Sequence, residues 1–209
     1  MDNPGTPFYY PNRMARIIFL AAEEILGRNG VNAVSNLAGL TEYIEHYPPN
    51  NQNLEFSFRN ISHFQRALVN FYGPHAGKGV ALRIGRACFH PGLHEFAPLL
   101  GMTDMAFRLL PLNSRLSIGS SALCDIFNKH TDQRVHVEDK EKTLLWHIDR
   151  CPLCWEHESH TPACHMAVGV IQEALYWVSG GKFFNVEETL CIAKGDATCT
   201  IVIDKTPVS

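Results

Sequence analysis

Up to residue 132, apolar side chains recur three and four positions apart, which is the spacing of one face of an α-helix. The pattern predicts helices over residues 13–30, 31–47, 62–73, 77–89 and 115–131, with one or two short helices over 93–111. Residues 1–12 and 48–56 are predicted to be an extended segment and a polar loop. The predicted boundaries are the N-cap Ser62, the terminators Gly30 and Gly73, and the helix breakers Pro48, Pro49, Pro91 and Gly92.

Beyond residue 132 the pattern changes to β-type alternation. Strands are predicted over residues 133–139, 142–150, 182–192 and 198–204, and a helix over 165–178. Thr161 is the predicted cap of this helix and Pro162 its first residue, and the run Ser179-Gly180-Gly181 is predicted to end it. The order of elements predicts an α+β fold in which helices pack on one face of an antiparallel sheet. We expect one domain over 1–209, mainly helical over 1–132, with the sheet and most cysteines over 133–209.

Composition excludes two classes of function. The chain of 209 residues is 45% hydrophobic and 19% charged, which is typical of a globular protein. Its formal net charge is −3 and it has no basic run, so we expect no nucleic-acid partner. No apolar run approaches the ~18 residues of a membrane span. A cytoplasmic location follows as the expectation, and thiols stay reduced there.

Three cysteines and a glutamate near the end of the chain have the spacing of a metal site. Cys191 and Cys199 flank a turn and would lie opposite each other in a hairpin. Cys164 falls at a helix start, where the dipole stabilises a thiolate. Glu188 reaches the same ion only if its strand bends or bulges, because residues three apart on a regular strand face opposite sides. Three sulfurs and one carboxylate suit a structural zinc, and the alternative is a set of buried small side chains.

Cys151 and Cys154 form a second candidate, a Cys-x-x-Cys pair. The pair is half of a metal site or a redox pair, and an iron–sulfur cluster is a further alternative. Its remaining ligands are left open among His157, His160, Cys164 and His165, since Cys164 fits either set. Cys88 and Cys124 lie in apolar helical patterns and are predicted to be core residues.

The segment from Cys151 to Cys199 resembles a 4-vinyl reductase domain, also called a hydrocarbon-binding domain. The shared pattern is a cysteine that opens a glycine-containing helix, followed by Glu-x-x-Cys-x-Ala-x-Gly-Asp-x-x-Cys before an apolar strand. The matching positions here are Cys164, Gly169, Glu188, Cys191, Ala193, Gly195, Asp196 and Cys199.

The resemblance implies a TRAPP-subunit-like α/β fold, a homodimer and a structural zinc. Its ligands by this resemblance are Cys164, Glu188, Cys191 and Cys199. It also implies an apolar pocket beside the metal for an aromatic, hydrocarbon or tetrapyrrole ligand. Other family members are linked to bacteriochlorophyll synthesis, where a tetrapyrrole is the bound group.

We therefore expect a non-enzymatic module that binds an apolar small molecule. The candidate pocket residues are Phe107, Trp146, His147, Tyr176 and Trp177, with His136 as a further polar contact. The alternative role of each aromatic residue is in the core, since aromatic residues dominate protein cores. One alternative is a tetrapyrrole vinyl reductase or an accessory protein of that pathway, although no glycine fingerprint for a hydride-carrying cofactor follows a strand. The other alternative is a scaffold or assembly factor.

Overall fold

The computed structural model describes residues 7–96 and 105–208, and within them the chain folds into six α-helices and two antiparallel sheets. The helices are α1 Asn12–Leu37, α2 Phe58–Tyr72, α3 Pro74–Phe96, α4 Met105–Leu109, α5 Leu112–His130 and α6 His165–Ser179. The strands are β1 Tyr9–Pro11, β2 Leu54–Ser57, β3 Arg134–Asp139, β4 Thr143–Arg150, β5 Phe183–Leu190 and β6 Cys199–Val208. This arrangement confirms the α+β class and the helical N-terminal half. None of the described helices is long and apolar enough to cross a membrane.

The main sheet has the strand order β3-β4-β6-β5, and every neighbouring pair is antiparallel. Leu144, Trp146 and Ile148 alternate along β4 with more exposed residues, so one face of the sheet is buried. Across the ladder, Leu144 pairs with Ile203 and Trp146 with Ile201, and both isoleucines are fully buried. These residues form the floor on which α5 and α6 pack.

The predicted break at Gly30 and the second helix over 31–47 are wrong. Helix α1 kinks earlier, at Gly27, where φ is 71°. Glycine tolerates this left-handed conformation because it has no Cβ. The helical chain ends at Leu37, and only a short 3₁₀ turn at Thr41–Tyr43 follows.

Two further helix boundaries differ from the sequence prediction. Ser57 caps α2, since its hydroxyl accepts a hydrogen bond from the Asn60 N–H at 3.2 Å, whereas Ser62 is buried within the helix. At the other end of α2, Gly73 is the terminator, as predicted, with φ of 80°. The predicted break at Pro91 is also wrong, because α3 continues through it to Phe96, a buried residue that packs on the ring of His130.

The remaining differences concern short segments. The extended start and the polar loop contribute β1 and β2, which pair in a small sheet that the sequence did not predict. Helix α6 has Cys164 at its N-cap position, so the predicted cap at Thr161 is wrong. The Thr161 N–H instead donates to the Ser159 hydroxyl at 3.2 Å, within a turn before the helix. Gly180 ends α6 in the left-handed region, as predicted. Part of the predicted helical stretch over 93–111 lies outside the described residues.

Helices α3 and α6 cross with their backbones in contact. A Cβ on Gly85 would overlap the carbonyl oxygen of Met166, and a Cβ on Gly169 would overlap that of Leu82. Both glycines are buried. The crossing therefore depends on the absence of side chains at these two positions.

We expect Gly85→Ala and Gly169→Ala each to lower the free energy of unfolding by about 1–3 kcal/mol, because an added methyl meets backbone rather than a flexible side chain. Gly79→Ala is the matched control. Gly79 lies in α3 with open space around its Cβ position, so alanine there stabilises the helix by about 0.5–1 kcal/mol. Urea unfolding of the three variants measures both effects. Equal stabilities of the Gly79 and Gly85 variants would contradict the close crossing.

Candidate functional site

Five cysteines and one glutamate from three parts of the chain form a single buried cluster, which we call the thiol cluster. Its members are Cys151, Cys154, Cys164, Glu188, Cys191 and Cys199. The Sγ–Sγ distances are 3.4 Å for Cys151–Cys164 and Cys154–Cys199, and 3.6 Å for Cys164–Cys199. Cys191 lies 3.9 Å from both Cys164 and Cys199. The two sequence candidates thus occupy one site, and their binding of a metal stays a prediction.

A bulge in β5 brings Glu188 to the thiol cluster. The register between β5 and β6 shifts between Glu188 and Leu190, which is the irregularity that the predicted ligand set required. One oxygen of Glu188, Oε2, accepts a hydrogen bond from the Cys164 N–H at 2.7 Å. The other, Oε1, is buried and has no hydrogen-bond partner.

The turn between Cys191 and Cys199 is held by Asp196. Its carboxylate accepts a hydrogen bond from the Cys191 N–H at 2.7 Å, and this bond lowers the pKa of Asp196. Gly195 provides the left-handed residue of the turn, with φ of 94°. Asp196 therefore positions Cys191 by fixing the backbone, and it is not among the residues whose ligand atoms converge on the cluster.

The thiol cluster has an uneven distribution of acidity. Burial raises the pKa of Glu188 and of Cys151. The Cys151 thiol, by hydrogen bonding to Cys154, lowers the pKa of Cys154.

An apolar cavity of about 140 Å³ lies beside the thiol cluster. It is bounded by α1, α3, α5, α6 and β4, and the segment between the cluster cysteines, Pro152 and Leu153, forms part of its wall. The apolar lining includes Met14, Ile17, Phe89, Phe96, Leu123, Phe127, Trp146, Ile148, Ala174 and Trp177.

The predicted pocket residues fall into two groups. Trp146 and Trp177 line the cavity. Phe107 is half-buried against the core and is not among the lining residues. Tyr176 is 38% exposed and packs on Phe183 at the surface. His147 follows Trp146 along β4 and so faces the other side of the sheet.

The cavity wall also contains polar side chains that were not predicted from the sequence. Tyr10 donates a hydrogen bond from its hydroxyl to Gln133 Oε1, and both residues line the cavity. Burial raises the pKa of Tyr10 well above its usual value. Cys88 also lines the cavity, and burial raises its pKa to about 12. Tyr10 and Gln133 lie 123 positions apart in the chain, and no local pattern connects residues at such a separation.

The opposite face of the sheet has a stacked histidine pair. The rings of His136 and His147 lie 4.7 Å apart, and His147 Nδ1 is 3.0 Å from the Thr200 hydroxyl. Glu138 Oε1 lies 3.9 Å from His147 Nε2. Burial lowers the pKa of His147, and the nearby His136 lowers it further. The pair lies on the far side of the sheet from the cavity, so it does not contribute to the apolar site.

Comparisons with known proteins identify the fold. No protein-family model matches the chain, and no curated protein is significantly similar in sequence. A Cs H-NOX variant with 4-cyano-L-phenylalanine at site 5 aligns with a TM-score of 0.59 at 10% identity, covering 95% of this chain and 98% of its own. An H-NOX protein from S. oneidensis in the Fe(II)NO state aligns with a TM-score of 0.53 at 13% identity, and the alignment covers 93% of this chain and 99% of that protein. The phenol-responsive sensory domain of the transcription activator PoxR, solved with phenol, aligns with a TM-score of 0.52 at 19% identity. The alignment covers 83% of this chain and 88% of that domain. Likeness at these identities shows the fold alone.

The assignment to the 4-vinyl reductase domains is wrong. The solved structures that share the fold are H-NOX proteins and a phenol-responsive domain, and no vinyl reductase model matches. The expectation of zinc is overturned as well, because the H-NOX neighbours are described with Fe(II). The tetrapyrrole cofactor and the link to bacteriochlorophyll synthesis rested on the same resemblance and are withdrawn. A homodimer stays a prediction.

The lowered pKa of His147 predicts acid sensitivity. The folded state binds the proton more weakly than the unfolded state, so the stability is fully present above the usual histidine pKa of about 6.5. It is lost as the pH falls toward the lowered pKa of the folded protein. We expect the melting temperature to fall between about pH 7 and pH 5, and to fall less in His147→Gln.

The control for this measurement is His75→Gln, a substitution at an exposed position. It should leave the pH dependence of the melting temperature unchanged. Some acid sensitivity will remain in His147→Gln, since burial also lowers the pKa of His165, to about 4. Identical pH profiles for the wild type and His147→Gln would contradict the role of His147.

Proposed function

We propose that this chain is a non-catalytic binding module for a single-ring aromatic molecule with a hydroxyl group, of the kind used in ligand sensing. The observation that carries the proposal is the apolar cavity of about 140 Å³ with Tyr10 and Gln133 in its wall. A mostly apolar site with a few placed polar groups is the usual design of small-molecule pockets.

The size of the cavity favours a small ring. An engineered protein cavity of about 150 Å³, lined by apolar side chains, binds benzene. The cavity here is nearly the same size, at about 140 Å³. Pockets for larger, drug-sized molecules start at roughly 300 Å³. A single aromatic ring fits this space, and a macrocycle does not.

Gln133 supports a ligand that has a hydroxyl group. Its Oε1 is occupied by the Tyr10 hydroxyl, but its amide nitrogen makes no hydrogen bond to any residue that the structure describes. The amide has two N–H donors. A phenolic oxygen at this point of the wall would satisfy one of them, which an unsubstituted ring cannot do.

Fold similarity agrees with this ligand class. The PoxR domain with which the chain aligns is described as phenol-responsive and was solved with phenol. The likeness at 19% identity extends to the fold, so the ligand assignment here depends on the cavity and its polar wall.

An iron tetrapyrrole, the alternative that the H-NOX neighbours raise, does not fit the residues present. Protein ligands for such iron are usually histidine, cysteine, tyrosine or methionine. No histidine is among the described lining residues of the cavity. Tyr10 is occupied by Gln133. Cys88, Met14 and Met166 remain in the cavity wall, but the cavity volume is too small for the macrocycle.

We expect phenol to bind with one site per chain and more tightly than toluene or cyclohexane, as measured by isothermal titration calorimetry. Apolar burial gives the binding a negative heat-capacity change. Absence of saturable binding by every single-ring compound would refute the proposed function.

Two variants locate the ligand in the cavity. Ala174→Leu fills space at the cavity wall, so we expect phenol affinity to fall at least tenfold while the melting temperature is kept or raised. Tyr176→Leu is the control on the same helix, because Tyr176 lies outside the cavity, and it should bind phenol as the wild type does. Equal affinity in the two variants would place the ligand elsewhere.

The double variant Tyr10→Phe/Gln133→Leu tests recognition of the hydroxyl. Removing both partners leaves neither with an unsatisfied buried group, so the fold should tolerate the change. We expect phenol affinity to fall by about tenfold, the worth of one hydrogen bond, while toluene affinity stays the same. An unchanged preference for phenol over toluene would show that the pair does not read the hydroxyl.

A further inference from the structure

We propose that the thiol cluster holds two divalent ions of the thiolate-preferring class, bridged by the sulfurs of Cys164 and Cys199. This inference does not depend on the proposed function of the cavity. It replaces the two separate candidates of the sequence analysis with one dinuclear site.

The convergence of ligand atoms gives two overlapping sets of four. One set is Cys151, Cys154, Cys164 and Cys199, and the other is Cys164, Glu188, Cys191 and Cys199. Within each set the ligand atoms lie within 4.8 Å of one another, and every residue is buried. The sets share two sulfurs, and a thiolate has enough lone pairs to bind two ions at once.

The sulfur separations match tetrahedral coordination. An ion about 2.3 Å from each sulfur places tetrahedral neighbours ~3.8 Å apart. Of the separations between a shared and an unshared sulfur, Cys151–Cys164 and Cys154–Cys199 are 3.4 Å, and Cys191 lies 3.9 Å from each shared sulfur. The shared sulfurs lie 3.6 Å apart. A disulfide has its sulfurs about 2.05 Å apart, and all five cysteines are free.

Charge balance permits the second ion. One ion in the set with Glu188 faces three thiolates and a carboxylate, which leaves a net formal charge of two negatives. The second ion deprotonates Cys151 and Cys154, so it adds two negative and two positive charges. The buried net charge is therefore the same for one ion and for two.

Two further groups support the binding of cations in the thiol cluster. Glu188 Oε1 is buried without a hydrogen-bond partner, while Oε2 is fixed by the Cys164 N–H. A metal ligand bond would satisfy this open oxygen, since a buried carboxylate without a partner is costly. The Ile192 N–H donates to the bridging sulfur of Cys199 at 3.3 Å, which stabilises negative charge on that sulfur.

Cobalt titration distinguishes two ions from one. We expect chelator-treated, fully reduced protein to bind two Co²⁺ per chain with sulfur-to-cobalt charge-transfer bands. The electron paramagnetic resonance signal should rise when one equivalent is bound and fall as the second binds, because bridging thiolates couple the two spins. Binding of a single Co²⁺, of none, or of two with an undiminished signal would overturn the proposal.

Variants assign the ions to the two sets. Cys151→Ser/Cys154→Ser should keep one Co²⁺ and a signal that persists at saturation. Cys124→Ala removes a buried cysteine outside the thiol cluster, and as the control it should still bind two. If the double variant does not fold, the spin coupling of the wild type decides the question. Loss of all cobalt from a folded double variant would show that the two sets are not separate and would overturn the bridged arrangement.

Discussion

Contact between the backbones of α3 and α6 determines where both sites lie. Gly85 meets the Met166 carbonyl and Gly169 meets the Leu82 carbonyl, so the two helices approach more closely than side chains would allow. Helix α6 also packs on the sheet, and its first turn is thereby fixed between the helical layer and β5. Cys164, at the start of α6, reaches the other sulfurs for this reason.

Contacts of two polar side chains, Gln65 and Arg150, also hold the segments around the thiol cluster in place. Gln65 of α2 accepts a hydrogen bond from the Met166 N–H at 3.0 Å and donates to the carbonyl of Ala163. One buried side chain thus ties α2 to both sides of Cys164. Arg150 places its guanidinium 3.8 Å from the ring centroid of Phe8, which joins the start of the chain to the end of β4. Such contacts restrict the loop that contains Cys151 and Cys154.

Local sequence patterns predicted most of the helices and the four strands of the main sheet, but not β1 and β2. The main-sheet strands, the Gly73 and Gly180 terminators and the convergence of Cys164, Cys191 and Cys199 follow from turn chemistry and spacing. The continuation of α3 through Pro91 cannot be predicted from a local pattern, because the end of this helix packs on distant residues through the buried Phe96. The polar wall of the cavity depends on residues far apart in sequence, and the family assignment failed because a short cysteine pattern is compatible with more than one family.

Pro152 and Leu153 lie in the cavity wall, and the cysteines on either side of them belong to the thiol cluster. A molecule that pushes this wall outward moves the backbone that holds two of the sulfurs. When two binding sites are coupled through a common segment, the coupling free energy is the same for both ligands. If a bound ion changes the affinity for an aromatic ring, the bound ring changes the affinity for the ion in the same direction and by the same factor.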